Sequence, residues 1–187
     1  MPYPREHREK VREKILDSAQ KLFNRRGFGA VSIDDVMSAA GLTRGSFYTY
    51  FKSKSDLYAQ SVARVVCEKK DGANGPEARY QADHIIREYL SHQHFENIDG
   101  SCPMIGLPSD ITRSDRSIRQ AFESALRLMV EIFERDMHGI GREARDRALA
   151  RAALCVGGMV LARSIDDRML ADEIRAAAMS AAIGLGQ

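Results

Sequence analysis

The stretch Ser32-Ile33-Asp34-Asp35-Val36-Met37-Ser38-Ala39-Ala40-Gly41-Leu42-Thr43 constrains this chain most. Ser32 offers a side-chain N-cap, Asp34 and Asp35 put acids in a first turn, and Val36, Met37 and Ala40 give one apolar face before Gly41. Only Gly41 and Leu42 separate this short helix from a third one, which Thr43 can cap and which runs to about Tyr50. Two short helices joined so tightly, with glycine in the turn, predict a helix-turn-helix.

The flanks agree. Residues 5–27 place Val11, Ile15, Ala19, Leu22 and Phe23 at spacings of three and four and stop at Gly27, which predicts one amphipathic helix. Ser53 or Ser55 can cap a fourth helix carrying Leu57, Val62, Val65 and Val66. The turn-forming run Asp71-Gly72-Ala73-Asn74-Gly75-Pro76 marks a break in the chain. Beyond it, periodicity predicts helices at about 77–95, 103–110, 113–138, 142–163 and 167–185, with no convincing period-two alternation.

Charge divides the chain in the same sense. Residues 1–70 carry 14 Lys/Arg against 8 Asp/Glu, whereas residues 71–187 carry 14 against 18. A part suited to a polyanion therefore precedes a part that need not meet one. A net charge of only +2 argues against a non-specific architectural DNA binder. The start, Met1-Pro2-Tyr3-Pro4-Arg5, has no apolar leader and no run of about 18 apolar residues appears, so a cytoplasmic protein without a membrane span is expected. Cys67, Cys102 and Cys155 form no CxxC pair, and no catalytic motif or phosphate loop is present. Neither an enzyme, a metal site nor a cofactor is expected. His84, His92 and His94, with Glu88 and Glu96, read as polar surface, or for His92 and His94 as pocket lining.

On the third helix, Thr43, Arg44 and Ser46 are donors at the leading end, where a recognition helix meets base edges. Gly45 permits close approach of the backbone, and Tyr48, Tyr50 and Lys54 suit phosphate oxygens, while Phe47 and Phe51 face the core.

Leu22-Phe23-Asn24-Arg25-Arg26-Gly27-Phe28, Val31 to Val36, Ala39-Ala40-Gly41-Leu42 and Ser46 to Leu57 closely resemble the N-terminal domain of tetracycline-repressor (TetR) family regulators, over about residues 9–60. The resemblance implies an all-α fold of about nine helices. An N-terminal three-helix helix-turn-helix domain, 1–52, would precede a ligand-binding and dimerisation domain, 53–187. It implies a homodimeric transcriptional repressor on a near-palindromic double-stranded DNA operator, released by a small-molecule inducer. By position, Ser32 resembles a phosphate contact at the start of the second helix, Thr43, Arg44, Gly45 and Ser46 the base-facing end, and Tyr48, Tyr50 and Lys54 the backbone clamp. Tyr50 replaces the histidine common there.

Two further expectations concern the C-terminal part. Ala148, Ala152, Cys155, Gly158, Met159 and Ala162, with Ala176, Ala177, Met179, Ala181 and Ala182, form small apolar faces that fit internal packing of one domain but read first as a helix-pair dimer interface. Asp99-Gly100-Ser101-Cys102-Pro103 places Cys102 before a helix start, where a thiolate is favoured. It also resembles a Gly-x-Cys segment of a TetR subgroup. The alternative to a reversible inducer is therefore electrophile or redox sensing through Cys102.

Overall fold

The computed structural model describes residues 5–68, 78–101, 112, 115–135, 137 and 141–186. Cys102 and the helix expected at 103–110 lie outside these residues, as does the break at 71–76. Among the described residues every regular element is helical: α1 Arg5–Ala30, α2 Ile33–Ala39, a 3-10 helix Arg44–Thr49, α3 Lys54–Glu68, α4 Ala78–Tyr89, α5 His92–Glu96, α6 Arg116–Arg135, α7 Arg142–Arg163 and α8 Arg168–Gly184. No helix among them is long and apolar enough to cross a membrane. The chain forms two compact units, Met1–Val65 with Ile98–Phe122, and Val66–Asn97 with Glu123–Gln187.

The first unit is built around the helix-turn-helix. Ser32 caps α2 through a capping box: its Oγ accepts the Asp35 N–H at 3.0 Å, and the Asp35 carboxylate accepts the Ser32 N–H at 2.8 Å. At the other end the Gly41 N–H reaches Ser38 O and the Leu42 N–H reaches Met37 O, with Gly41 at φ 65°. This is a Schellman turn, and its left-handed residue is where a side chain would be strained. α1 bends at Gly27, so its regular part ends there as the sequence predicts. The core collects Ile15, Leu16, Phe23, Val36, Met37, Phe47, Phe51 and Leu57, with Tyr58 edge-on to both Phe23 and Phe28.

Three local expectations change. The third helix is 3-10 rather than α: Ser46 N–H bonds Thr43 O and Tyr50 N–H bonds Phe47 O. Gly45, Ser46 and Thr49 are weak helix formers, and the Ser46 hydroxyl takes the Thr43 carbonyl as well. Thr43 occupies the N-cap position without a side-chain cap bond. The helix expected over 77–95 breaks at Leu90-Ser91, because the Ser91 Oγ accepts the His94 N–H and starts α5.

In the second unit α7 packs chiefly on α8, with α4 and α5 against the pair. Gly158 sets this crossing: a Cβ there would stand 2.6 Å from the Ala178 Cβ and 3.3 Å from Leu90 Cδ2. Ala148, Ala152, Cys155, Gly158, Met159 and Ala162 are all buried within the chain. Read as part of a dimer face, this stripe is instead interior, because the same smoothness lets α7 and α8 approach each other. Of the residues expected on the second helix of the pair, Ala176, Ala177 and Ala181 do lie outward, and Leu149, Leu161, Met169 and Leu170 are exposed among the large apolar side chains. Arg151, only 1% exposed, donates from Nε to Ala182 O at 2.9 Å, where the helix dipole of α8 favours a cation.

Candidate nucleic-acid interface

α2 and the 3-10 helix present one face inward and one outward. Phe47 is fully buried and Phe51 nearly so, which turns Thr43, Arg44, Gly45 and Tyr48 to the surface, with Tyr48 62% exposed. Ser46 and Tyr50 are half-buried beside them, and Ser32 is exposed at the start of α2. All eight residues assigned to DNA contact thus sit on the helix-turn-helix or at the adjoining start of α3.

Their donors are not equally free. The Ser32 hydroxyl donates to the Asp35 carboxylate at 2.6 Å, and these hydrogen bonds hold the Asp35 carboxyl below the usual carboxylate range. The Lys54 ammonium donates to Phe28 O at 2.9 Å and Val31 O at 2.8 Å while lying 4.2 Å from the centre of the Phe28 ring. It thereby satisfies the carbonyls where the chain leaves α1, and burial pushes its pKa down. Two of its three N–H bonds are thus engaged by backbone carbonyls. Ser53 caps α3, with its Oγ accepting the Asp56 N–H at 3.0 Å, so of the two serines that could cap this helix it is Ser53 that does.

Arg44 Nη1 lies 2.6 Å from Asp34 Oδ2, joining the first residue of the 3-10 helix to the first turn of α2. Sequence reading assigned Asp34 only to the α2 dipole. The available signal was the pair of adjacent acids, since one carboxylate suffices for the capping box.

A second set of side chains in the same unit was also missed. From α1, Asn24 Nδ2 donates to Ser101 O at 2.9 Å and Asp99 O at 3.2 Å, and Gln20 Nε2 donates to Ser101 O at 3.3 Å. Arg25 grips the Asp99 carboxylate through Nε at 2.5 Å and Nη2 at 2.8 Å, which lowers the Asp99 pKa. Spacings of 74 to 81 residues leave no local sequence signal for this clasp. In the second unit His84 and His92 are exposed, and His94 Nδ1 lies 2.7 Å from Tyr89 O.

Comparison with known proteins places this geometry among regulators. Residues 15–60 match the family described as bacterial regulatory proteins, tetR family. The chain is 35% identical over 91 residues to the HTH-type transcriptional regulator AcrR of Shigella flexneri, covering 45% of this chain and 40% of that protein. It is 35% identical over 52 residues, 28% of each chain, to IcaR of Staphylococcus aureus (strain Newman), named a negative transcriptional regulator of the biofilm operon icaADBC. These matches span less than half the length of either relative. The fold extends further: the reduced form of E. coli NemR superposes with TM-score 0.74 over 94% of this chain and 96% of that one, at 19% identity.

Proposed function

Since this chain belongs to the TetR family of bacterial regulatory proteins, we propose that it is a repressor that binds a near-palindromic operator as a homodimer and is released by a small molecule. One observation carries the reading: the outward face of the helix-turn-helix offers Thr43, Arg44, Gly45 and Tyr48 at one end, while Phe47 and Phe51 are committed to the core. That is the division a major-groove reader needs, with base-edge donors leading and hydroxyl and ammonium donors flanking on phosphate. Ser32, Ser46, Tyr50 and Lys54 supply the flanking and supporting contacts. Ser32 would exchange its Asp35 bond for a phosphate oxygen.

The homodimer is supported by the outward apolar residues of α7 and α8, Leu149, Leu161, Met169 and Leu170. Two such pairs make a four-helix contact that buries what one chain leaves in water. Pairing places two reading heads on half-sites about 34–36 Å apart. The released state is one in which ligand favours another separation of the heads.

Selection from a pool of random DNA duplexes with the purified chain tests this. The proposal expects enrichment of a sequence with two inverted half-sites about one helical turn apart. Enrichment of nothing, or of a single unpaired site, contradicts it.

A second reading, electrophile or oxidant sensing through Cys102, is favoured by the clasp from Gln20, Asn24 and Arg25 to Asp99 and Ser101. The residues immediately before Cys102 are thereby tied to α1 of the reading unit, a route by which an adduct could act on it. A Cys102→Ser protein that keeps operator binding but loses release by an alkylating agent would select this reading over a reversible inducer.

A further inference from the structure

We propose that Asp34 is a specificity-determining residue: its carboxylate holds the Arg44 guanidinium for a base and withholds it from the phosphate backbone. The proposal rests on the operator-reading function given above. It starts from a contact that stability alone does not explain. Arg44 Nη1 and Asp34 Oδ2 are 2.6 Å apart, yet the two side chains are 62% and 57% exposed. A pair so open to water adds little to folding.

Nor does α2 need this acid. Asp35 closes the capping box with Ser32, sits in the same first turn for the helix dipole, and lies 3.5 Å from Arg26 Nη1. Asp34 is a second carboxylate, exposed on a face that has to approach a polyanion. On such a face it repels phosphate and lowers affinity for every duplex alike.

What the carboxylate supplies is orientation. Arginine is long, rich in rotamers and drawn to any phosphate oxygen nearby. A free Arg44 would spend much of its binding on the backbone, which carries no sequence information. Anchored at Nη1 by Asp34, it keeps Nε and Nη2 free, and this edge of the fork matches O6 and N7 of guanine. Fixing the side chain before binding removes part of the ordering cost at the moment of recognition. The anchor comes from α2 and the reading group from the 3-10 helix, so the pair also couples the two halves of the motif. Asp34 thus exchanges general affinity for discrimination at one base pair.

The test is duplex selection with sequencing, at one salt concentration, on the full chain in four forms: wild type, Asp34→Ala, Arg44→Ala and the double variant. The exposed position of Asp34 and the intact Ser32–Asp35 box leave folding undisturbed, which circular dichroism checks. Wild type should show a guanine-dominated position that Arg44→Ala erases. In Asp34→Ala the guanine preference at that same position should fall about fivefold or more, the low end of what one bidentate contact discriminates. Preferences elsewhere should persist, and affinity for a random duplex should rise. The double variant should match Arg44→Ala at that position, since Asp34 acts only through Arg44.

Three results overturn the proposal, and they differ from one another. If wild type enriches no sequence, the operator-reading function fails with it. If wild type enriches an operator but Arg44→Ala leaves every position intact, Arg44 is not a base reader and Asp34 has nothing to hold. If Asp34→Ala raises affinity for operator and random duplex by the same factor with unchanged base preferences, Asp34 is only a repulsive charge.

Discussion

Asp115 shows how much one exposed side chain can gather. Its carboxylate accepts the N–H groups of Ser117 at 3.0 Å and Ile118 at 3.2 Å, and the hydroxyls of Ser117 and Ser55, so it caps α6 and ties that helix to α3 within the first unit. These bonds, the Ser117 and Ser55 hydroxyls first, hold its carboxyl down to about 2. The folded value lies below the unfolded one, so the stabilisation is complete above the ordinary carboxylate range and is lost as pH falls towards about 2. Denaturant unfolding of wild type and Asp115→Asn should therefore differ at pH 7 and converge between about pH 5 and about pH 2. A difference that stays constant over that range would show that the charge is not what matters. The same scale marks the limit of sequence reading. Ser32, Asp35 and Gly41 are legible because capping and turn chemistry act over three or four residues. Lys54 reads as a phosphate donor, but two of its donors go to Phe28 and Val31, 26 and 23 residues earlier, and nothing local announces them.

At the scale of the element, period and composition predict that α7 and α8 exist, with bounds of 142–163 and 167–185 against the observed Arg142–Arg163 and Arg168–Gly184. They do not predict which face turns inward, because small apolar residues line both sides of each helix. Packing decides it: Gly158 meets Ala178, Ala152 is buried at 1% exposure, and Leu161 is left 59% exposed. Two substitutions of the same chemistry should therefore behave differently. Ala152→Glu strands a charge inside the chain and should cost about 3–5 kcal/mol, read as a lowered denaturation midpoint. Leu161→Glu meets water in a single chain, so it should keep the folded spectrum, and the proposed homodimer expects it to sediment as a monomer and wild type as a dimer. Dimeric Leu161→Glu would move the interface off this face. The 3-10 geometry of the reading element escaped prediction for a related reason, since Gly45, Ser46 and Thr49 fit a short helix of either pitch until the Ser46 hydroxyl bonds the Thr43 carbonyl.

For the whole molecule, the proposed function requires that sequence be read by the exposed end of the helix-turn-helix and not merely approached by a basic surface. The N-terminal excess of basic residues would favour encounter with any duplex. In the proposed function, paired heads and the Arg44 fork would supply the discrimination that charge does not. The family resemblance and the all-helical fold were legible because residues 15–60 carry a dense local motif, whereas the helices beyond it carry no comparable pattern that would name a ligand. The most direct measurement is the ratio of affinities for the selected operator and a scrambled duplex of the same length and composition, at a single salt concentration. A ratio of about 10³ or more is expected for wild type, falling about 5- to 150-fold in Arg44→Ala. A wild-type ratio near one, with both affinities falling together as salt rises, would contradict the proposed function.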